Sequence, residues 1–189
     1  MSWFINGTLF TGTIITVGSG KDYENIRLAV EEAPNNSLLL VDPGSWYTGG
    51  DESNLYIDKL IYVRGLGASP EDTILRVGYY GIFSFSGGHG YYENLTIRIE
   101  DDWQRAFNAA TGGIVTANKV RVFPANVYTY SAGHGNFSQD GIFNFKNCYL
   151  TKGHKTFAYC NLSLISLDKV KFDDTPDNYL CSGYLSGDY

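Results

Sequence analysis

"NLTIRI", residues 94–99, is the clearest sign of the architecture, because related phrases return along the chain. Each opens with Asn or Asp and continues as a short strand of alternating character. The phrases are DKLIYV at 58, NLTIRI at 94, NKVRVF at 118, NCYLTK at 147 and DKVKFD at 168. Their starting positions differ by 36, 24, 29 and 21 residues, which is typical of repeat proteins. A second set, GIFSF at 81, GGIVT at 112 and GIFNF at 141, indicates at least two strands per repeat.

This repetition predicts an all-β fold, a single-stranded right-handed parallel β-helix with a short N-terminal capping α-helix. In such a fold each coil stacks on the last, so that strands pair in parallel and inward side chains form apolar ladders. Asn or Asp suits the corners because its side chain bonds to nearby backbone and tolerates the left-handed conformation. An antiparallel sandwich is the alternative, since short strands separated by Gly turns also suit it.

Near the N-terminus, in KDYENIRLAVEEAP, the apolar residues recur at helical spacing instead of alternating. Four apolar residues fall on one face at helical spacing: Ile26, Ala29, Val30 and Ala33. We predict a helix over residues 22–33, with Asp22 as its N-cap and Pro34 ending it. This helix is expected to cover the open edge of the first coil. The predicted organisation is a single β-helix domain over 1–177, followed by a C-terminal arm over 178–189 that docks on a partner.

Composition narrows the classes of partner. The 189 residues carry a net charge of −6 and contain no Lys/Arg cluster along the sequence, so no nucleic-acid partner is expected. No apolar run approaches the ~20 residues that span a bilayer, and the N-terminus does not resemble a signal peptide, so a soluble protein without a membrane partner or classical export is expected. Cys148, Cys160 and Cys181 lack the paired spacing of a zinc site, which favours reduced thiols.

ITVGSGKDYENIRLAVEEAPNNSLLLVDPGSWY, residues 15–47, resembles the start of the pectin methylesterase family, within the pectin lyase-like superfamily. In that family a strand, a capping helix and a second strand begin a right-handed β-helix. RGLGASPEDTIL at 64 and FSGGHGYYENLTI at 85 are similar to the family's next two coils. The resemblance spans roughly residues 14–99 and rests on fold-determining positions, so it implies the fold much more than the chemistry.

The family's ester cleavage uses two Asp carboxylates, an Arg and Gln donors, which supply the attacking group, the proton donor and the oxyanion site. By the resemblance, Gln139 and Asp140 partly match the family's "QDTL" element, which carries one of the two Asp carboxylates. Lys155 or Thr156 stands where the second Asp belongs, and Arg121 is the last Arg of the chain, so the family's late Arg element has no counterpart. Esterase activity by that mechanism is not expected. If the protein is an enzyme, Gln139 and Asp140 are the candidate catalytic residues.

Adjacent Asp pairs and Gly-flanked His residues are two further patterns that could mark a functional site. The adjacent pairs Asp101–Asp102 and Asp173–Asp174 point to opposite faces of any strand, so neither is expected to form a two-carboxylate site. His89 and His134 occupy near-identical turns, SGGHG at 86 and SAGHG at 131, and His154 follows in KGHK. A metal site needs at least three converging ligands, so we expect turn histidines, no metal and no cofactor.

With no full catalytic set, the leading hypothesis is a non-enzymatic virion structural protein. It is expected to be a phage capsid-decoration (cement or spike) or tail-associated subunit, a homotrimer assembled in the host cytoplasm with other virion proteins as partners. The candidate interface lies in the arm, at Tyr179, Leu180, Tyr184, Leu185 and Tyr189. Further aromatic material for an interface or for glycan contact is expected among Tyr79, Tyr80, Tyr91, Tyr92, Tyr128 and Tyr130, some of which must be core residues.

Two alternatives stay open. One is a carbohydrate-active enzyme, a pectinesterase-like esterase or a polysaccharide lyase, with its site around Gln139 and Asp140. The other is an adhesin that binds a surface glycan without turnover. An elongated groove with stacked Tyr and one deep carboxylate would favour the carbohydrate functions, whereas a flat apolar face and an extended C-terminal arm would favour assembly.

Overall fold

The computed structural model describes residues 2–48, 55–78, 81–99, 106–109, 112–123, 141–150, 158–159, 164–172 and 181–182. It is mostly β, with parallel strands that form a β-solenoid of about four turns and one short helix. The strands are β1 (Phe4–Ile5), β2 (Thr8–Leu9), β3 (Thr13–Val17), β4 (Ser37–Val41), β5 (Gly44–Tyr47), β6 (Leu55–Ile57), β7 (Leu60–Gly65), β8 (Thr73–Val77), β9 (Ile82–Ser84), β10 (His89–Ile99), β11 (Phe107–Ala109), β12 (Ile114–Phe123), β13 (Ile142–Lys146), β14 (Tyr149–Leu150), β15 (Ala158–Tyr159), β16 (Leu164–Asp168), β17 (Lys171–Phe172) and β18 (Cys181–Ser182). The helix is α1 (Ile26–Glu32), and Pro70–Asp72 forms a 3-10 turn.

The strands stack in rows. The longest row runs β3-β4-β7-β10-β12-β13-β16, and the C-terminal parts of β10 and β12 continue into pairings with β8 and β14. Another row is β6-β9-β11. Apart from the β1-β2 hairpin, every pairing among the described strands is parallel. This pattern excludes the antiparallel sandwich, because a sandwich needs antiparallel neighbours.

At one corner of successive coils, residues at equivalent positions adopt the left-handed backbone conformation. Asn94, Lys119, Asn147 and Lys169 have φ of 53°, 54°, 52° and 54°, and the strand register on either side aligns them. The expectation that Asn forms the corner is confirmed at Asn94 and Asn147. At the other two corners Asn118 and Asp168 lie one position earlier and Lys adopts the left-handed conformation. The cost for an ordinary residue is only about 1–2 kcal/mol, which a stacked coil can impose.

The register corrects two groupings made from the sequence phrases. In the DKLIYV phrase, Leu60–Arg64 pairs with His89–Glu93, the strand before the corner, and not with NLTIRI. In GIFSF, Ile82–Ser84 pairs with β6 and β11, whereas Ile114 pairs with Ile142. Short strands with alternating side chains resemble one another on every side of a coil, so phrase similarity alone does not identify the side.

The core consists of side chains that point inward from the rows. One ladder, read from coil to coil, is Leu39, Val63, Tyr92, Ala117 and Phe145, and each member is buried. Small Ala117 lies between the large rings of Tyr92 and Phe145, so the stack stays close-packed. Gly90 is required beside Tyr92, because a Cβ there would collide with the Tyr92 ring.

Two of the tyrosines expected to supply aromatic contacts are interior residues. Tyr91 is 4% exposed and Tyr92 is 0% exposed. Tyr92 belongs to the core ladder, and Tyr91 is covered by the N-terminal hairpin described below. Tyr79, Tyr80, Tyr128 and Tyr130 lie outside the described residues.

The capping helix is confirmed as α1, but it is shorter than residues 22–33, and the predicted N-cap Asp22 is wrong. Asn25 is the N-cap, and its Oδ1 accepts from the backbone N–H groups of Arg27 (2.8 Å) and Leu28 (3.3 Å). Asp22 instead accepts from the Thr16 N–H and hydroxyl, both at 2.8 Å. A bridge from Tyr23 to Val17 keeps this segment extended, so the helix begins only after it.

The helix packs against β3, β4, β5 and β6 through its buried residues Ile26, Ala29 and Val30. It therefore lies over the first coils, as expected for a cap. Within the described residues no helix has the length and apolarity to cross a membrane.

Candidate functional site

The N-terminal hairpin covers part of the outer face of the long row. Asn6 and Gly7 both have positive φ, 50° and 81°, the conformation that a two-residue Asn-Gly hairpin turn requires. Ile5 of β1 is buried against outward-facing residues of the sheet: Leu38, Leu40 and Tyr91. Trp3 and Phe10 pack around the same cluster. The hairpin is therefore docked on the solenoid by apolar contacts.

A cleft of about 390 Å³ remains between the hairpin and the sheet, and we call it the hairpin cleft. Tyr62 and Tyr91 are register partners on adjacent coils, with ring centroids 5.6 Å apart. Phe10 meets Tyr62 edge to face at 5.4 Å. The Tyr91 hydroxyl donates to Asn6 Oδ1 at 3.0 Å. The remaining lining is supplied by Ile5, Thr8, Leu9, Thr11, Asn36, His89 and Thr116.

His89 lies in this cleft as the first residue of β10, and not in a free turn as the sequence predicted. Its Nε2 is 2.9 Å from Thr116 Oγ1 on the next coil. Burial lowers the pKa of His89, so the neutral imidazole is the form present at pH 7. His134 and His154 lie outside the described residues. Within the part of the chain that the structure describes, no three His, Cys, Asp or Glu residues are grouped to hold a metal ion.

The hairpin cleft offers hydrogen bonding and aromatic contact. Its described lining contains hydroxyl, amide, imidazole and phenol groups, and no carboxylate or thiol belongs to it. Glu93, two positions beyond Tyr91, is bound to Arg64, whose Nε donates to Glu93 Oε2 at 2.7 Å. The lining matches neutral, hydroxyl-rich ligands, which combine an apolar ring face with hydrogen-bonding edges.

A second surface feature is an aromatic cluster outside the β6-β9 pair, which we call the aromatic face: Tyr56, Phe83 and Phe85. Tyr56 and Phe83 are register partners with ring centroids 6.0 Å apart. Phe85 lies 5.9 Å from Tyr56 and stacks on Phe83 at 5.6 Å. Tyr56 is 48% exposed. The alternation of LYI and IFS in the sequence is the signal for these outward rings, although it does not show that they meet.

The site residues named from the sequence fall mostly outside the described residues. These are Gln139, Asp140, Lys155 and Thr156, the pairs Asp101–Asp102 and Asp173–Asp174, and the interface candidates Tyr179, Leu180, Tyr184, Leu185 and Tyr189. Of the predicted arm, Cys181–Ser182 is described as β18, which pairs in parallel with β15. Of the cysteines, Cys148 is buried and free, and burial raises the pKa of its thiol.

No family model, no curated protein and no solved structure matches this chain. The resemblance to pectin methylesterases is therefore supported only as far as the parallel β-solenoid itself.

Proposed function

We propose that this protein is a non-enzymatic structural subunit, a right-handed parallel β-helix that packs as a homotrimer in a phage virion, as a capsid decoration or a tail component. Right-handed winding is the preference of parallel strands joined by crossovers. The observation that carries the proposal is the aromatic face. Three clustered rings on the side of a solenoid have the composition of an interface core, where Tyr and Phe are enriched.

The partner proposed for the aromatic face is a second copy of the chain. Edge-to-face and stacked rings are rigid and bring large apolar area to a contact, which makes them effective anchors. In a trimer the same face of each subunit is buried about the threefold axis. The other virion proteins are then contacted through the remaining sides.

The test is the mass of the purified protein in solution, measured by light scattering across a concentration series. The double variant Tyr56→Ser/Phe83→Ser is expected to be a monomer where the natural protein is a trimer. Phe4→Ser/Leu9→Ser is the control, because these hairpin residues are exposed at 53% and 50%, comparable with Tyr56, and lie elsewhere. A natural protein that stays monomeric, or a control variant that dissociates equally, would contradict the assembly role.

Ester hydrolysis on methylated pectin is measured on the same samples. Methanol release that stops in Asp140→Ala would overturn the non-enzymatic proposal in favour of the esterase. The proposed result is no release from either protein.

Glycan binding is a second candidate function, favoured by the hairpin cleft. The Tyr62 ring, the Asn6 amide and the His89–Thr116 pair suit a neutral sugar ring. Binding to a panel of neutral oligosaccharides is expected to weaken in Thr116→Ala and to be unchanged in Thr13→Ala, an exposed Thr outside the cleft. Equal affinity of the two variants would remove this candidate.

A further inference from the structure

The fold gathers basic residues that the sequence keeps apart. Lys119 and Arg121 lie on β12, and Lys169 and Lys171 lie two coils further on. The register connects Arg121 to Tyr149 and Tyr149 to Lys171, and it places Asn147 between Lys119 and Lys169. Together with Pro70 and Cys148 these six residues line a cleft of about 540 Å³, which we call the basic cleft.

The spacing of the four cations follows from the stacking. Adjacent coils are about 4.8 Å apart, so the backbones that carry Lys119 and Arg121 lie roughly 10 Å from those that carry Lys169 and Lys171. Within each coil the two cations are two positions apart and line the same cleft. The coil between them contributes the Asn147 amide and the Tyr149 ring. The result is two rows of positive charge with hydrogen-bonding groups between them.

Of these four cations, only Arg121 forms an ion pair with another residue in the part of the chain that the structure describes. Arg121 forms an ion pair with Glu71, and its guanidinium lies over the rings of Phe123 (4.8 Å) and Tyr149 (5.2 Å). Lys119, Lys169 and Lys171 are exposed and form no ion pair with any described residue. This concentration of cations occurs in a chain whose net charge is −6. A cleft of one sign concentrates ligands of the opposite sign.

Arg121 is the anchored member of the group. The ion pair with Glu71 and the two ring contacts hold its guanidinium in place, and its buried Nε has no hydrogen-bond partner in the described part of the chain. A fixed guanidinium is suited to oxyanions because its planar donors match their geometry. Lys169 and Lys171 supply flexible ammonium groups on the opposite row, and Lys119 supplies one on the same row as Arg121. The cleft therefore combines one oriented donor with several adaptable ones.

We propose that the basic cleft binds a ligand carrying two or more phosphate or sulfate groups spaced to match the two rows. The chemistry shared by these ligands is the tetrahedral oxyanion. Sulfated sugars and condensed phosphates are its two sources. The binding is independent of the aromatic face and of the hairpin cleft, since none of the six residues belongs to either.

The test is isothermal titration of the 189-residue chain with tripolyphosphate in one series and with a disulfated disaccharide in the other, at low and high NaCl. The key variant is Lys119→Asn/Lys169→Asn. Asn is chosen because Asn94 and Asn147 already occupy the same left-handed corner, so the charges are removed without straining the backbone. The control is Lys21→Gln/Lys59→Gln, which changes the net charge equally at other sites.

At least one probe is expected to bind the natural protein and the control with similar affinity. The Asn variant is expected to bind about tenfold more weakly, because two charge contacts are lost. Binding is expected to weaken as NaCl shortens the range of the electrostatic attraction. Tighter binding of tripolyphosphate would identify a condensed phosphate as the ligand, and tighter binding of the disulfated disaccharide would identify a sulfated sugar. Absence of binding in both series, or an equal loss in the control, would overturn the proposal.

Discussion

Tyr92 shows how a single side chain is held by the stacking of coils. It is fully buried in the core ladder, and its hydroxyl has no hydrogen-bond partner among the described residues. Its ring contacts Phe107 at a centroid distance of 5.3 Å. A buried hydroxyl without a partner costs free energy, while the ring contributes by filling the space above Gly90.

Tyr92→Phe is expected to raise the free energy of unfolding by about 1 kcal/mol, because the ring is kept and the unpaired hydroxyl is removed. Burial also raises the pKa of Tyr92. Above pH 10 the unfolded chain therefore loses its phenol proton before the folded protein does, and stability falls as the pH rises. The variant should lose less stability between pH 9 and 11 in urea unfolding. A variant less stable than the natural protein at pH 7 would show that the hydroxyl is satisfied.

Because His89 is partly buried, we expect the stability of the protein to fall at acidic pH. Burial lowers its pKa in the folded protein below the ordinary value of 6.5. The unfolded chain then binds the proton first, so stability is lost as the pH falls below about 6.5 towards the lowered value. In a background with His134→Gln and His154→Gln, urea midpoints between pH 7.5 and 5 are expected to fall. Adding His89→Gln should flatten that fall, and an unchanged slope would contradict the assignment.

At the scale of elements, the corner between consecutive strands is the recurring unit. At Asn94 the left-handed conformation is combined with side-chain bonds: Nδ2 donates to the carbonyl oxygens of Gly65 at 3.1 Å and Gly67 at 2.8 Å. Further along the stack, Asn118 Nδ2 donates to Glu93 Oε1 and Asn147 Nδ2 to Asn118 Oδ1. Polar side chains at the corners thus link one coil to the next.

Substitutions at the corner separate backbone conformation from side-chain bonding. Asn94→Gly keeps the left-handed conformation and loses both bonds, so a loss of about 1–2 kcal/mol is expected. Asn94→Ala should lose roughly 1 kcal/mol more, because Ala is strained at that φ. At the equivalent Lys169, replacement by Gly is expected to be neutral or stabilising. Unfolding in urea measures all three, and equal losses for Gly and Ala at position 94 would refute the role of the conformation.

At the scale of the whole molecule, the coils form a one-dimensional stack in which each strand depends on its neighbours. β4 and β7 are paired on both sides, and the hairpin and α1 pack against this part of the stack. β16 ends the long row within the described residues. Local stability is therefore expected to decrease along the row.

Hydrogen exchange followed by mass spectrometry should show the slowest amides in β4 and β7 and faster exchange in β16. The reason is that an end coil opens without disturbing two neighbours. Ile5→Ser, which weakens the docking of the hairpin, is expected to speed exchange in β4 and β7 more than in β13. Uniform protection in all coils would show instead that the solenoid unfolds as a single unit.

Local patterns in the sequence were sufficient for the type of fold. Alternating strands, Gly turns, corner Asn residues and the amphipathic helix each depend on a few neighbouring residues, and the parallel solenoid with its helix agrees with them. The N-cap was misplaced because Asp22 and Asn25 are equally suitable in type, and only the bridge between Tyr23 and Val17 distinguishes them. The phrases were partly misaligned for a similar reason, since strands on different sides of a coil share the same alternation.

The surfaces were decided by the tertiary structure alone. No cluster of Lys and Arg exists along the sequence, yet stacking brings Lys119 and Arg121 beside Lys169 and Lys171. The hairpin cleft likewise joins Asn6 to Tyr91, which is far away in sequence. In a parallel stack the neighbour of a side chain lies a whole coil away, and a shift of one residue turns it to the other face. Sequence therefore determines what kind of coil forms, whereas coil length and register determine which side chains meet.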